Sequence, residues 1–250
     1  QSRSSAASDV YKRQAIVGGL GFATPEYTIS CYDVKYESEN SEGNLDTLSG
    51  LVVFPNSATK AFPILSYQRG TGILDEEAPS NSGLSLSNLE VFLVGYLATT
   101  SGFITLIPDY VGLGNPNLYH PYHIKDSYIR AVVHMIRAVK QLSKFLPIEN
   151  SFQNNDQVFL AGYSEGGYAT LAAQSGIESN YSEEITITAS FPMAGAYDLA
   201  GTMVDYFLSE PEYENPYYVP YVLTSHIWYY QGLNTDLNMY FEPYWAENLP

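Results

Sequence analysis

A serine between glycines is the feature of this sequence best suited to covalent chemistry. The segment Gly162-Tyr163-Ser164-Glu165-Gly166-Gly167 has the pattern G-x-S-x-G. An apolar run precedes it and small helix-forming residues follow, so a strand, a sharp turn and a helix are predicted, with Ser164 at the turn. This is typical of a nucleophile elbow, in which a serine hydroxyl attacks a carbonyl carbon. Because the pattern arises by chance in roughly one chain in ten of this length, an ordinary tight turn is the competing interpretation.

The serine needs partners before it can act. A base must accept its proton, a third group must hold the base, and N–H donors must stabilise the oxyanion of the tetrahedral intermediate. The backbone N–H of Glu165 is the first predicted donor, and its side chain is expected to be solvated or to pair with a loop. Thr71, between Gly70 and Gly72, is the second predicted donor, against the alternative of an ordinary loop threonine.

One histidine follows Ser164 and is a candidate for the base. It is His226, with Asp198, Asp205 and Asp236 as acids that could orient it. His226 stands in an aromatic stretch that predicts a helix, so a role in packing is favoured over catalysis.

The histidines before the serine predict structural roles. His120 and His123 stand around Pro121 and are expected to fix a loop. A metal site there is disfavoured because no third ligand stands at a recognisable spacing, and neither a metal nor another cofactor is predicted. His134 falls on the polar face of a predicted helix and is expected to be solvated, and Asp109 is expected to order its own loop.

Composition limits the classes of partner. The 250 residues include 27 acidic and 11 basic side chains, a net charge of −16, and 45% are apolar. Phosphate binding needs clustered Lys and Arg, so nucleic acid is excluded as a partner. No apolar run approaches the ~18 residues of a membrane span. The single cysteine, Cys31, excludes an internal disulfide, and the 23 tyrosines favour surfaces that meet both water and apolar ligands.

Residues 1–14 differ from the rest of the chain. They read QSRSSAASDVYKRQ, and their second half matches the translated mosaic end of a transposase used in sequencing. We expect residues 1–14 to be a disordered sequencing-adapter artefact, with a disordered natural leader as the alternative. They lack the apolar centre of a secretory signal.

Strands and helices alternate through the middle of the chain. Strands are predicted at residues 27–37, 48–54, 62–67, 103–107, 157–161 and 185–191, the first two as a hairpin. Helices are predicted at residues 86–97, from a cap at Asp126 or Ser127 to about residue 145, and after the serine to a C-cap at Gly176. This order predicts an α/β fold, with a mostly parallel sheet covered by helices on both faces.

Four segments together carry a family resemblance. They are residues 66–72 (SYQRGTG), 108–114 (PDYVGLG), 120–122 (HPY) and 162–167 (GYSEGG). In this order they resemble the secretory lipase family of α/β-hydrolases, meaning lipase-A-like enzymes and their bacterial relatives, over residues 25–250. The family often has a histidine where this chain has Arg69.

The resemblance implies a secreted, periplasmic or cell-surface hydrolase of small-molecule or lipid esters, with the α/β-hydrolase fold and a Ser-Asp-His triad. Residues 15–196 would form the N-terminal part of its core, and residues 197–250 would begin a helical lid that contacts a lipid interface transiently. No strand is predicted after Phe191, and in the family the acid and the histidine follow the last two strands. Both are therefore expected beyond Pro250, which would make this chain a truncated, nearly inactive fragment.

Two other functions remain open. A serine peptidase of the prolyl-oligopeptidase type would use the same serine on the same fold, although an aromatic lid suits an apolar acyl chain better. A non-catalytic binding module would need no base.

Overall fold

The computed structural model describes residues 26–39, 44–57, 59–114, 119–142, 152–209, 213–230 and 232–248. Within them the strands are β1 (Ile29–Glu39), β2 (Leu45–Pro55), β3 (Ala61–Gln68), β4 (Ile104–Pro108), β5 (Gln153–Tyr163) and β6 (Ile187–Met193). The α-helices are α1 (Pro79–Ser82), α2 (Leu89–Thr100), α3 (Lys125–Leu142), α4 (Glu165–Asn180), α5 (Val204–Ser209), α6 (Tyr218–Tyr229) and α7 (Pro243–Ala246). Short turns of 3-10 helix occupy Asp75–Glu77 and Leu237–Met239, and a π-helical turn occupies Leu199–Met203. The segment predicted to be an adapter artefact, residues 1–14, lies outside the described residues.

The six strands form one mixed sheet in the order β1-β2-β4-β3-β5-β6. The β1–β2 and β2–β4 pairs are antiparallel, and the β4–β3, β3–β5 and β5–β6 pairs are parallel. The predicted hairpin and the mostly parallel sheet are therefore confirmed. The parallel strands align their carboxyl ends at one edge of the sheet, which is where loops of an α/β fold carry function.

Helices cover both faces of the sheet, as predicted. One apolar cluster lies between the sheet and helices α3 and α4, and a second lies between the sheet and α2. Strand β2 divides its residues between them, since Val52 and Phe54 belong to the first cluster and Leu51 and Val53 to the second. All four side chains are fully buried. Burial on both faces explains why these strands read as continuous apolar runs.

Helix α2 begins later than the leucine spacing predicts. Its N-cap is Asn88, whose side chain accepts a hydrogen bond from the Val91 N–H. Leu86 precedes the helix and is exposed. The buried face is instead built around the larger side chains of Phe92 and Tyr96, which remove more apolar surface from water.

Two predicted helix ends are wrong. Helix α3 begins at Lys125, and the Ser127 hydroxyl donates to the Ile124 carbonyl instead of capping the helix. Helix α4 continues through Gly176 to Asn180. A Cβ on Gly176 would lie 2.6 Å from a methyl carbon of Ile129, so this glycine permits close packing of α4 on α3 and does not end the helix.

The described residues between 197 and 248 form short helices and turns, as predicted. Helices α5 and α7 bury none of their residues, and α6 buries Thr224, Ser225 and Ile227. None of the described helices is both long and apolar enough to cross a membrane.

Candidate active site

Ser164 occupies a strained backbone position between β5 and α4. Its φ and ψ angles are 59° and −122°, a region that side-chain-bearing residues rarely adopt. The surrounding hydrogen bonds hold it there. The Ser164 N–H donates to the Met193 carbonyl at 3.0 Å, and the Ser164 carbonyl accepts from the Gly167 N–H at 2.9 Å. The half-buried serine therefore lies at the carboxyl edge of the sheet, in the geometry that the G-x-S-x-G pattern predicts.

The glycines around Ser164 are required by close backbone approach. A Cβ on Gly166 would overlap the Gln68 carbonyl, and a Cβ on Gly167 would overlap the Met193 carbonyl. A Cβ on Gly162 would overlap the Gly166 carbonyl. Because these contacts are with rigid main chain, a larger residue at any of the three positions would displace a strand or the helix.

The Glu165 side chain is buried beneath the serine. Its carboxylate Oε1 accepts from the Tyr128 hydroxyl at 2.8 Å and lies 3.0 Å from His120 Nε2. The expectation of a solvated side chain is wrong, because Glu165 is 1% exposed; the alternative, pairing with a loop, describes what the structure shows. As the first residue of α4, Glu165 has a backbone N–H without an intrahelical acceptor.

His120 and Glu165 form a buried side-chain contact. His120 Nδ1 lies 2.7 Å from the Val111 carbonyl, which can only accept, so Nδ1 carries a proton. Burial acts to raise the pKa of Glu165, but the hydrogen bond and charge of His120, with the charge of Arg69, outweigh it and lower that pKa. The carboxylate is therefore ionised, and His120 Nε2 lies within hydrogen-bond distance of it. This geometry gives His120 the loop-fixing role that the sequence favours.

His123 is buried without such a partner. Burial lowers its pKa to about 4, so its ring is neutral at pH 7. Its φ of 57° is left-handed, and its ring meets the Tyr168 ring edge-on at 4.7 Å. No group of three side chains suited to holding a metal ion occurs among the residues that the structure describes.

Thr71 lies in the loop that leaves β3, next to the elbow. A Cβ on Gly70 would lie 3.6 Å from the Tyr163 carbonyl, so the loop touches the end of β5. The Gly70 N–H donates to Glu90 Oε1 at 2.9 Å and is therefore occupied. The Thr71 hydroxyl lies 2.9 Å from the Tyr122 hydroxyl.

Glu90 and Arg69 shape this loop, and the sequence analysis did not assign them a role. Glu90 Oε1 accepts from the Tyr67 hydroxyl at 2.8 Å as well as from Gly70. Arg69 is 3% exposed, and its Nη1 donates to the Gly70 carbonyl at 3.1 Å. A cleft of about 320 Å³ opens beside the loop, lined in part by Arg69, Thr71 and Glu90. Glu90 is the acidic residue in the first turn of α2, and this could have marked it as a helix-end residue. Its role in the loop was not predictable, because its partner Gly70 lies 20 residues away in sequence.

The candidate base and two of its three candidate orienting acids have local partners. His226 Nδ1 lies 2.9 Å from the Val222 carbonyl, within α6. Asp198 accepts from the Gly201 N–H and from Thr202, and Asp236 accepts from the Asn238 N–H, so both carboxylates cap turns. The structure gives none of these groups a hydrogen bond to Ser164.

Two other predicted polar residues have roles inside the fold. Asp109 is buried and accepts from the Ser49 hydroxyl and from the Ser80 N–H, which agrees with its expected role in ordering a loop. Burial raises its pKa, and the hydrogen bonds from Ser49 and Ser80 offset this in part. The expectation of a solvated His134 is wrong, because it is partly buried and its Nδ1 lies 2.8 Å from the Ser38 hydroxyl.

The sheet order, the covering helices and the serine turn define an α/β-hydrolase fold. The profile of the secretory lipase family matches residues 78–204, slightly more than half of the chain. The chain therefore belongs to the secretory lipase family.

Solved structures show the same fold. A Legionella pneumophila protein assigned to the hydrolases is 26% identical, with a TM-score of 0.79 over 95% of this chain and 62% of its own. The rice cell wall degrading esterase LipA from Xanthomonas oryzae, in a ligand-bound form, is 22% identical, with a TM-score of 0.83 over 96% of this chain and 62% of its own. The chain thus spans less than two thirds of the length of these proteins. No curated protein sequence matches it.

Proposed function

We propose that the protein is a serine ester hydrolase of the lipase or carboxylesterase type. The observation that carries the proposal is the left-handed backbone of Ser164 at the junction of β5 and α4. The Ser164 hydroxyl attacks the ester carbonyl, the alcohol leaves, and water then hydrolyses the acyl-enzyme. Family membership supports ester hydrolysis as the reaction class.

The backbone N–H groups of Glu165 and Thr71 are the proposed oxyanion donors. Glu165 supplies the first amide of α4, and the contact of its buried carboxylate with His120 holds that amide in place. Thr71 follows a glycine whose own N–H is occupied by Glu90. Donors that are fixed before the reaction stabilise the developing charge without a reorganisation cost.

The base and its acid are not assigned to any residue of this sequence. His226, the one histidine after Ser164, has its Nδ1 occupied by a carbonyl of its own helix. We therefore expect the 250-residue chain alone to turn over esters slowly. In the full-length protein, an Asp and a His on loops beyond residue 250 would complete the triad.

The proposed substrate and location rest on the family and on the exposed aromatic side chains. Residues 197–250 are proposed as the start of a lid, with Trp228, Tyr244 and Trp245 exposed toward an apolar ester or a lipid interface. LipA, which shares the fold, is described as a cell wall degrading esterase. Export from the cell is proposed from the name of the secretory lipase family.

The test compares full-length wild-type protein with Ser164→Ala on p-nitrophenyl esters of increasing acyl length. We expect Ser164→Ala to lower kcat by at least about a thousandfold. Ser175→Ala, in the same helix, should retain wild-type turnover, because that hydroxyl accepts a hydrogen bond from the Lys125 side chain on the exposed surface. Full ester turnover by Ser164→Ala would refute the assignment, and faster cleavage of a Pro-X peptide than of every ester would favour the peptidase.

A fluorophosphonate probe gives a second readout of the nucleophile. The probe reacts with an activated serine, and the labelled peptide is identified by mass spectrometry. Label on the peptide that contains Ser164 supports the assignment, and label on another serine with none on Ser164 contradicts it.

A further inference from the structure

A short loop connects both proposed oxyanion donors. We call residues 119–123 the bridging loop. His120 of this loop pairs with Glu165 at 3.0 Å, and the Tyr122 hydroxyl lies 2.9 Å from the Thr71 hydroxyl. The loop therefore touches the elbow on one side and the loop after β3 on the other.

Helix α6 packs on the opposite side of the bridging loop. The Tyr221 and Tyr122 rings are stacked, with centroids 4.3 Å apart and planes 9° apart. The Ser225 hydroxyl donates to the Tyr122 carbonyl at 2.9 Å. Tyr122 is 3% exposed, so its ring is held between α6 and the loop that carries Thr71.

Tyr122 is also the hydrogen-bond partner that the described structure gives to the Thr71 side chain. A partly buried hydroxyl pair of this kind restricts both groups, because breaking it leaves a polar atom without a partner. The position of Thr71 consequently depends on the position of the Tyr122 ring, and that ring depends on α6.

We propose that Tyr122 is a positioning residue. It couples the packing of α6 against the bridging loop to the position of Thr71, the second proposed oxyanion donor. The proposal rests on the proposed function, in which the Thr71 amide is an oxyanion donor. When α6 packs against the bridging loop, the stacked Tyr122 ring holds the Thr71 hydroxyl and fixes the loop that follows β3. When α6 is displaced, the ring loses its support and the loop relaxes. Since the donor acts on the transition state, the coupling affects kcat more than KM.

Steady-state kinetics of the full-length protein test the hydrogen bond. Tyr122→Phe removes the hydroxyl and keeps the ring, and we expect kcat to fall about tenfold with KM within about twofold. Thr71→Val should cause the same fall, and the double variant should fall no further. Tyr36→Phe is the matched control, because it removes a buried tyrosine hydroxyl that donates to the Ala131 carbonyl, away from the site. A rise in KM alone, or independent effects that multiply in the double variant, would overturn the proposal.

Hydrogen exchange tests the same coupling without turnover. In an otherwise unchanged Ser164→Ala protein, Tyr221→Leu and Tyr122→Phe should each speed exchange in residues 69–73 by at least about threefold. Exchange in β1 and β2 should stay unchanged. If residues 69–73 exchange at the wild-type rate in both variants, the coupling is absent. Because this readout needs no activity, a failed nucleophile assignment and a failed coupling give different results.

Discussion

The sheet core and the C-terminal region are held together by different kinds of contact. In the core, strands such as β2 and β4 have residues that are fully buried on both faces of the sheet. In residues 197–248, α5 and α7 bury none of their residues, and α6 buries three. Two of those three, Thr224 and Ser225, have hydroxyls that bond to Tyr119 and Tyr122 of the bridging loop.

This difference means that the sheet core is held more strongly than helix α6. Apolar burial stabilises the scaffold that strains Ser164, and summed over the core it is worth far more free energy than a few hydrogen bonds. Helix α6 is attached through aromatic stacking and hydroxyls, which are weaker contacts. The core can therefore keep the elbow folded while α6 shifts.

Gly166→Ala should produce the largest loss of stability. Its new Cβ overlaps the Gln68 carbonyl, so either β3 or α4 must move. We expect a loss of more than about 4 kcal/mol in the free energy of unfolding, measured by urea denaturation. Gly232→Ala, in the C-terminal region, meets no atom within 4 Å and has a φ of 96°, so only about 1 kcal/mol of backbone strain is expected. Equal losses would show that the elbow is not tightly packed against β3.

Leu106→Ala should produce the second largest loss of stability. Leu106 lies in β4 and is fully buried in the cluster under α3, so its truncation should cost about 3 to 4 kcal/mol through lost burial and a cavity. Leu208→Ala, in α5, removes a side chain that is 81% exposed and should change stability by less than about 0.5 kcal/mol. A cost above about 2 kcal/mol at Leu208 would mean that the C-terminal region has a core of its own.

The same contrast explains what the sequence could predict. The six strands and the elbow depend on local patterns, namely buried apolar runs and glycines beside a serine, and those patterns are present in the printed residues. The local sequence around Gly176 predicts a helix end. The glycine is instead needed for its close approach to Ile129, which lies on another helix. A pattern within one segment contains no information about which distant segment packs against it.

The candidate site shows more clearly which contacts cannot be predicted from the sequence. Ser164, Glu165 and Thr71 can be nominated from motif position, since the elbow geometry specifies where amides stand. The partner of the Glu165 carboxylate, His120, is 45 residues away in sequence, and its distance and burial appear only in the fold. The contact between this carboxylate and a buried histidine was therefore not predictable from composition or spacing.

Acid should destabilise the core through His123. In the unfolded chain this histidine binds a proton near pH 6.5, whereas burial lowers its pKa in the fold to about 4. Between these values the unfolded state binds more protons, so stability falls as pH falls, by up to about 3 kcal/mol at full effect. The titratable groups that face His123 are Glu165, which opposes the shift, and His120 and His226, which add to it.

Urea denaturation at pH 7, 5.5 and 4.5 measures this effect. His123→Gln should lose less stability than wild type across this range. Glu165 keeps its own acid dependence in the variant, because its lowered pKa makes its contribution decline only below its ordinary pKa of 4.5. If wild type and His123→Gln lose the same free energy of unfolding over this range, His123 has the same pKa in the folded and unfolded states and the prediction is wrong.

The smallest expected effect concerns the attachment of α6. Ser225→Ala removes a fully buried hydroxyl and leaves the Tyr122 carbonyl without its donor, so about 1 to 2 kcal/mol should be lost. Ser209→Ala is the matched control, since that hydroxyl donates to the Tyr206 carbonyl on exposed α5, and its loss should be close to zero. Hydrogen exchange should show the Ser225→Ala loss in α6 and the bridging loop, with β2 and β4 unchanged. If β2 and β4 also exchange faster, α6 belongs to the same cooperative unit as the sheet, and the distinction between the two regions fails.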